Sequence, residues 1–293
     1  MSPRPAALAA CLAALAGCGS VSHHVAADVA PPATIAVLPL PGPAPAGLRD
    51  AARQLLHSRL AARGYRCPEP AWIDRVLSEH GWLRDPERFA PPAADLPAML
   101  AALQVDAALV ADGLDESSFN VILLRRHAVG GRVAIRDTAG RTFWSSDHGA
   151  STFGGFLLTS GQVFAELRAQ GEHGTPMASL ALVDEFVADV VGTIPPREAP
   201  PLSPLPALDA VAASRAAATG DSVRIVVTTR CTAAATLRCD LVPFATGVPM
   251  VAVPGAPDRF VGQCEVPTAA ALQRIVVHAR DAFGREVTAG VAP

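Results

Sequence analysis

The sequence predicts a mixed-sheet domain of the α/β or α+β class, followed by a small all-β, immunoglobulin-like sandwich. Residues 33–193 alternate apolar, strand-like runs with segments of helical periodicity, which is typical of a sheet covered by helices. Residues 194–208 read IPPREAPPLSPLPAL, and a stretch so rich in proline forms neither a helix nor a central strand. Residues 209–293 contain short alternating strands separated by turn signals. The chain of 293 residues is therefore predicted to form two domains joined by a linker.

The first domain is expected to begin with a buried strand and three helices. TIAVLPL, Thr34–Leu40, is a β-rich run that ends at a Pro-Gly-Pro turn. The next segment has apolar residues at helical spacing and ends at Gly64, where a glycine can end a helix. YRC then predicts a short second strand, and a second helix covers Ala71–His80. A third helix begins at Asp95, a suitable N-cap residue.

Strands are expected to return after the third helix as an antiparallel meander. VDAALVADGL, Val105–Leu114, is a buried strand, and FNVILLRRH, GGRVAIRD and RTFWSSDHG are three further strand-like runs. Turn signals at Val129-Gly130-Gly131 and Asp137-Thr138-Ala139-Gly140 are expected to separate them. A last amphipathic helix covers Met177–Val191. Its predicted apolar face contains Leu180, Val183, Phe186, Val187 and Val190.

The second domain repeats strand-like segments at short intervals, without any helical pattern. A tight hairpin is expected at DAFGR, Asp281–Arg285. Turn signals about 8–12 residues apart are typical of a β-sandwich. The predicted strands are SVRIVVTTR, TLRCDLVPF, VPMVAVP, DRFVGQCEV, QRIVVHARD and REVTAGV.

The amino-terminal residues 1–17 predict a lipoprotein signal peptide. Arg4 precedes the apolar run AALAACLAALA, which is too short to span a bilayer but suits a secretory signal. The run leads into LAGC, which ends at Cys18 and resembles the bacterial lipobox. This resemblance implies cleavage before Cys18 and lipidation of its sulfur, and the alternative is an ordinary signal peptide with a chance cysteine. Gly19, in place of Asp, indicates the outer membrane, and residues 18–32 are predicted to form a flexible tether.

Four cysteines remain after the signal peptide is removed and Cys18 is lipidated. An oxidising envelope compartment allows disulfides. Three of the four lie in the last third of the chain, and one bond among them is expected, with Cys231–Cys239 and Cys239–Cys264 as the better pairs. The fourth is Cys67. Because none of the spacings is C-x-x-C, neither a zinc site nor a redox site is expected.

Composition excludes several classes of function. A net charge of -3, without a basic stripe, disfavours nucleic acid as a partner. All 24 basic residues are arginine, which excludes P-loop and Schiff-base chemistry because both require a lysine amine. His23 and His24 are adjacent and lack partner ligands, so no metal is expected there. No cofactor is expected elsewhere.

Several segments in order resemble a family of uncharacterised bacterial lipoproteins related to the TolB N-terminal domain and to the curli-secretion lipoproteins. They are TIAVLPL, LLHSRLAARGYRCPEPAWIDRVLSEHG, LQVDAALVADGL and IRDTAGRTFWS. The resemblance covers residues 33–190. It implies an α/β domain with a mixed sheet, an envelope location, and a part in assembled complexes rather than catalysis. The long amphipathic hairpins of the curli pore are missing from the sequence, which argues against pore formation.

SSDHG, residues 145–149, places Ser, Asp and His side by side and is a candidate hydrolytic site. A catalytic triad needs these side chains to converge from separate elements. Neighbours on a strand alternate faces, so Asp147 and His148 are expected to point apart. The sequence therefore predicts no catalytic residue, with a serine hydrolase around Ser145 and His148 as the alternative.

Residues 81–95 form a loop longer than most connections, and such loops often contact partners. Trp82, Arg84, Arg88 and Phe89 are residue types enriched at interfaces, so they are the candidate partner-binding residues. The alternative is a loop that folds over the end of the sheet.

The leading hypothesis is a non-enzymatic lipoprotein of the outer membrane that faces the periplasm. It would act as a docking or assembly component of an envelope complex for secretion, transport or wall synthesis, and self-association is compatible with this role. The alternatives are the envelope serine hydrolase and a component of a homo-oligomeric export channel.

Overall fold

The computed structural model describes residues 22–121, 124–154, 176–200, 204–217, 221–233, 236–268 and 272–291. The chain divides into two compact units, Met1–Pro200 and Pro201–Pro293. The first combines a mixed sheet with helices, as the sequence predicts, and the second is all-β in its described part.

The first unit is built on a sheet whose outer strands are short and whose three central strands are long. In chain order the strands are β1 (Ser22–Val25), β2 (Ile35–Val37), β3 (Ala107–Val121), β4 (Leu124–Asp137) and β5 (Thr142–Gly154). Their order across the sheet is β1-β5-β4-β3-β2. β2 and β3 are parallel, whereas the other neighbouring pairs are antiparallel. The predicted meander is thus β3, β4 and β5.

Helices cover both faces of this sheet. They are α1 (Ala46–Ala62), α2 (Pro70–Glu79), α3 (Leu96–Leu103) and α4 (Pro176–Gly192), with a 3₁₀ turn at Pro86–Arg88. All four were expected from their apolar periodicity. The predicted YRC strand makes only one isolated parallel bridge, between Thr34 and Arg66.

Two hydrophobic cores form because successive side chains of a strand point to opposite faces. Leu109 of β3 packs with Leu56 of α1 and Phe186 of α4 in the first core. The next residue, Val110, packs with Leu77 of α2 in the second core. Each fully buried leucine or phenylalanine of this kind contributes about 1.5–3 kcal/mol. The sheet therefore forms the middle of three layers.

Two arginines of α1 are buried and attach the helix to the chain beside it. The Arg53 Nε atom donates to the carbonyl oxygen of Val37 at 2.9 Å, and its Nη1 atom lies 2.8 Å from the Asp74 carboxylate. Arg49 donates from Nη1 to the carbonyl oxygens of Gly42 and Ala44, both at 2.7 Å. Because buried charges need such partners, these contacts hold α1 in register with β2.

Gly130 and Gly131 do not turn the chain, so the turn predicted there is wrong. β4 runs through both residues without a break. A Cβ atom at Gly131 would lie 2.3 Å from the carbonyl oxygen of Gly113 on β3. The glycines thus permit close approach of neighbouring strands, which is a common role of glycine inside a sheet.

FNVILLRRH, residues 119–127, was expected to be one strand, and it is instead the closed end of a hairpin. The last residues of β3 and the first of β4 both come from this segment, and Val121 pairs with Leu124. The turn predicted at the opposite end of β4 is confirmed. There the Asp137 Oδ1 atom accepts hydrogen bonds from the amides of Ala139 and Arg141 at 2.9 Å.

β1 lies within the segment predicted as a flexible tether. Its backbone pairs with the free edge of β5, with Ser22 opposite Asp147 and Val25 opposite Trp144. Val29, a few residues later, is buried in the first core. The ordered part of the first unit therefore begins well before residue 33.

The chain after α4 folds back along the end of α1. Arg63 donates to the carbonyl oxygens of Ile194 and Gly192, and the Tyr65 hydroxyl donates to that of Pro195 at 2.7 Å. The amide of Arg197 donates to the carbonyl of Arg63 at 3.0 Å. Residues 194–197 thus belong to the first unit, although the sequence predicts that they begin the linker.

The second unit contains seven strands in its described part. Six match predicted strands, whereas β6 was not predicted because alanine has low strand propensity. The hairpin predicted at Asp281–Arg285 is confirmed, since the Asp281 amide donates to the Arg285 carbonyl. The strands are β6 (Ala207–Ala217), β7 (Ser222–Thr232), β8 (Thr236–Val242), β9 (Ala245–Val253), β10 (Ala256–Pro267), β11 (Arg274–Arg280) and β12 (Glu286–Val291).

These strands form one antiparallel sheet in the order β12-β11-β8-β9-β10-β7-β6. The two end strands, β6 and β12, lie side by side, so the sheet is nearly closed. Ile225, Leu241 and Val277 are among the residues of its core. The all-β class is as predicted, but the strands follow one continuous order rather than the separate sheets of a sandwich.

Candidate functional site

The loop between α2 and α3 forms a surface cleft of about 360 Å³. Trp82, Arg84, Arg88 and Phe89 all line it, so the structure brings the four predicted contact residues together. Gly81, at φ +74°, ends α2 and redirects the chain into this loop. The loop packs on the second core and also lines a cleft, and partner binding through it stays a prediction.

The aromatic residues of the cleft point toward the protein. Phe89 is only 4% exposed and belongs to the second core, so it supports the cleft from below. Trp82 is half-buried against the same core and stacks on His80, with ring centroids 4.7 Å apart. Trp82 therefore combines a fixed indole with a solvent-facing part.

The arginines of the cleft point toward solvent. Arg84 is exposed, and the Arg88 side chain is 89% exposed with its Nε atom 3.9 Å from the Asp85 carboxylate. Pro91 and Pro92 form another part of the lining. A half-buried indole beside exposed guanidinium groups suits contact with a partner surface, since aromatic and arginine side chains are enriched among the residues that dominate binding energies.

The structure separates Ser145 from His148, which removes the geometric basis for the hydrolase hypothesis. Ser146 and His148 are buried, whereas Ser145 and Asp147 belong to the other, more exposed set of β5. The His148 Nε2 atom lies 3.0 Å from the carboxylate of Asp189 on α4. A nucleophile must lie within hydrogen-bond reach of its base, and Ser145 points away from this one.

A second polar cluster joins α4 to the sheet and was not foreseen. The Ser179 hydroxyl donates to the Glu116 carboxylate at 2.7 Å, and the His127 Nε2 atom lies 3.1 Å from Ser179 and 3.2 Å from Glu116. These contacts attach α4 to β3, which contains Glu116, and to β4, which contains His127. The three residues lie on separate elements, so no local sequence motif predicts that they are in contact.

In the second unit, His278 lies between two carboxylates. Its Nδ1 atom is 2.8 Å from Glu286, and its Nε2 atom is 3.0 Å from Asp240. A hydrogen bond from His278 lowers the pKa of Glu286. The pKa of Asp240 is lowered chiefly by the amide of Gly247 and further by His278. These contacts join β8, β11 and β12.

Cys67, Cys231, Cys239 and Cys264 are free thiols in the structure. Burial raises the pKa of Cys67 to about 12 and, with the nearby Asp240 charge, that of Cys239 to about 11. Such thiols are poor nucleophiles at neutral pH. The pairing of Cys231, Cys239 or Cys264 stays a prediction, and Cys18 lies outside the described residues.

Within the described ranges, no three His, Cys, Asp or Glu side chains are arranged to hold a metal ion. A search of the same residues also finds no helix with the length and apolar character needed to cross a membrane.

No protein family and no curated protein sequence matches the chain. Among solved structures, lipoprotein GNA1162 from Neisseria meningitidis is 19% identical, with a TM-score of 0.35 and coverage of 48% of this chain and 96% of that one. The PelC dodecamer from Paraburkholderia phytofirmans is 13% identical, with a TM-score of 0.31 and coverage of 58% and 95%. The hypothetical protein CT253 from Chlamydia trachomatis is 16% identical, with a TM-score of 0.31 and coverage of 54% and 95%. TM-scores of this size do not establish a common fold, and the family resemblance stays a prediction.

Replacing Phe89 should destabilise the first unit, whereas replacing the cleft arginines should not. Phe89→Ala removes a buried ring from the second core and is expected to cost about 3–5 kcal/mol. The double variant Arg84→Ala/Arg88→Ala changes exposed side chains and should leave the unfolding midpoint unchanged. Tryptophan fluorescence during urea unfolding reports this unit, because Trp72, Trp82 and Trp144 all belong to it. An unchanged midpoint for Phe89→Ala would place the ring outside the core.

The strands around His278 should lose stability in acid. Since the folded-state pKa values of Asp240 and Glu286 lie below their ordinary values of 3.8 and 4.5, their contribution is present above these values and is lost as the pH falls through the folded pKa values. Glu286→Gln should lower the free energy of opening at neutral pH by about 0.5–1 kcal/mol. It should also reduce the loss of protection that occurs as the pH falls below about 4.5, the ordinary pKa of this carboxyl. Hydrogen exchange of peptides from β8, β11 and β12 measures both effects. Asp258 is exposed, and Asp258→Asn is the matched control. If it weakened protection as much as Glu286→Gln, the contacts of His278 would not be the source of the stabilisation.

Proposed function

We propose that the protein is a membrane-anchored lipoprotein, fixed through Cys18, that acts as a non-enzymatic docking or assembly component of a cell-envelope complex. The observation that carries the proposal is the position of LAGC between an apolar signal-like run and β1. Two or three acyl chains on Cys18 give stable anchoring that a single chain does not. β1 begins at Ser22, only four residues after the proposed lipid attachment point.

The cleft of Trp82, Arg84 and Arg88 is the surface proposed to contact the partner. It combines a half-buried aromatic ring with exposed guanidinium groups, which is the composition of interaction hot spots. A protein partner suits it better than a small ligand, because small-molecule sites are mainly enclosed and apolar. The near-neutral net charge of -3 argues against nucleic acid.

The proposed location is the periplasmic face of the outer membrane. Gly19 follows the lipidated cysteine in place of the Asp that favours retention in the inner membrane. Secretion, transport and wall-synthesis machines are the proposed classes of complex. Self-association of several copies in such a machine is part of the proposal.

The anchor is tested by changing Cys18 and, separately, Cys11 in the signal peptide. Cys18→Ala should abolish lipidation and release nearly all of the protein from the membrane fraction, because the acyl chains supply the anchoring energy. Cys11→Ala lies in the apolar run and should leave processing intact. Fractionation and intact-mass spectrometry of the mature chain provide the readout. A mature Cys18 that carries no lipid, or a membrane-bound Cys18→Ala protein, would refute the proposal.

The docking role is tested by affinity purification from detergent-solubilised membranes. Wild-type protein should recover partners in stoichiometric amounts, and Arg84→Glu/Arg88→Glu should lower recovery at least about tenfold, since charge reversal in an interface costs several kcal/mol. Arg230→Glu/Arg259→Glu, which reverses two exposed arginines on β7 and β10, is the matched control. Equal recovery with both variants would remove the cleft from the interface, and a monodisperse protein without partners would contradict the docking role.

A further inference from the structure

We propose that a pocket beside the cleft, lined by Arg136, binds one aspartate or glutamate side chain of the partner protein. This inference rests on the proposed docking function and adds to it the chemistry of the partner segment. The space is called the Arg136 pocket below.

The Arg136 pocket lies between the loop after α2 and the start of the meander. Its volume is about 150 Å³, and its apolar walls include Leu96 of α3 and Val110 of β3. Ala90 and Pro91 line both this pocket and the cleft that contains Trp82, so the two spaces are neighbours. One extended segment of a partner can therefore contact both.

The volume of the Arg136 pocket limits what it can bind. A cavity of about 150 Å³ accommodates a group the size of benzene, whereas sites for drug-sized ligands occupy about 300–1,000 Å³. The pocket therefore has room for one side chain of a partner and not for a whole small-molecule ligand.

Arg136 is a half-buried cation whose guanidinium has no ion pair or hydrogen bond within the described part of the chain. Among the described lining residues the only carboxylate is that of Asp112, and it lies 3.9 Å from Arg132 instead. The buried Arg53, in contrast, lies 2.8 Å from the Asp74 carboxylate. Because removing a charge from water without a partner is costly, a carboxylate that enters the pocket would supply the partner that Arg136 lacks.

A carboxylate is the anion that suits the Arg136 pocket best. The planar guanidinium of arginine binds a carboxylate through two parallel N–H···O hydrogen bonds. Phosphate suits it less, because the nearby Asp112 repels a dianion more strongly than a monoanion. The methylene groups of an aspartate or glutamate would lie against the apolar walls. The expected partner segment therefore places an acidic residue next to the residues that contact Trp82.

The absence of lysine from the chain allows a direct test of this pairing. Arg136→Lys keeps the positive charge and introduces the only side-chain amine of the protein. A water-soluble carbodiimide joins an amine to a carboxylate in contact with it, and the carbodiimide takes up the released water to become a urea. The full-length, lipidated variant is purified with its partners from detergent-solubilised membranes and treated with this reagent. Mass spectrometry then locates the new amide bond.

Arg75→Lys is the matched control, since Arg75 is also half-buried but lies on α2 outside the lining of the pocket. Its Nε atom lies 3.7 Å from Glu79, so a lysine at this position should couple to Glu79 and show that the reagent is active. Arg136→Lys should instead couple to an aspartate or glutamate of the partner. This link should be absent from Arg75→Lys.

Arg136→Leu separates binding from stability in the same purification. Recovery of the partner should fall about tenfold, as expected for loss of an arginine that contributes strongly to an interface. The unfolding midpoint in urea, followed by tryptophan fluorescence, should not decrease, because the guanidinium loses no partner within the described residues. Undiminished recovery would overturn the proposal. A decreased midpoint would assign Arg136 a structural role and would also overturn it.

The outcome of cross-linking distinguishes this inference from the docking role. If both lysine variants recover partners but Arg136→Lys couples to none of them, or couples only to Asp112 of its own chain, the Arg136 pocket is not a partner site and the docking role stands. If the wild-type protein recovers no partner, the docking role is contradicted and this inference fails with it.

Discussion

The hydrogen-bonded meander of β3, β4 and β5 is the constraint on which the first unit depends. Its strands contain 13 to 15 residues and are therefore about 43–50 Å long, whereas the 17-residue helix α1 is about 26 Å long. Helices of this length cover only part of the sheet. The covered part carries the two apolar cores, and the part beyond it carries the polar attachment of α4 and the closed end of the hairpin.

Much of this architecture was predictable because it depends on local periodicity. The helices, the buried strands and the turn at Asp137 follow from apolar spacing and turn chemistry. The role of Gly130 and Gly131 was not predictable in the same way. A glycine pair favours a turn when read locally, and only the position of Gly113 on the neighbouring strand shows that it serves close strand contact. Pairing across a sheet is a non-local property.

The candidate site likewise combines features that local sequence predicts with features that depend on contacts between distant residues. A long loop with Trp82 and two arginines was recognisable from length and residue type, and the structure gathers these residues around one cleft. The burial of Phe89 was not recognisable, because an aromatic residue in a loop can face either the core or solvent. The bonds from Ser179 to Glu116 and from His148 to Asp189 join residues that no spacing rule connects. Such contacts depend on how α4 packs across the sheet.

The return of the chain along α1 after α4 decides where the first unit can be cut. Arg63 and Tyr65 donate to the carbonyl groups of Ile194 and Pro195, and the Arg197 carbonyl occupies the space in which a Cβ atom of Gly64 would lie, 1.9 Å away. A shortened protein ending at residue 193, where composition alone places the boundary, would leave the Tyr65 hydroxyl without its acceptor and Arg63 with only the carbonyl of Gly192. Loss of the acceptor of the buried Tyr65 is expected to lower the free energy of unfolding by about 1–3 kcal/mol. Expression of the first unit alone should therefore extend through Pro200.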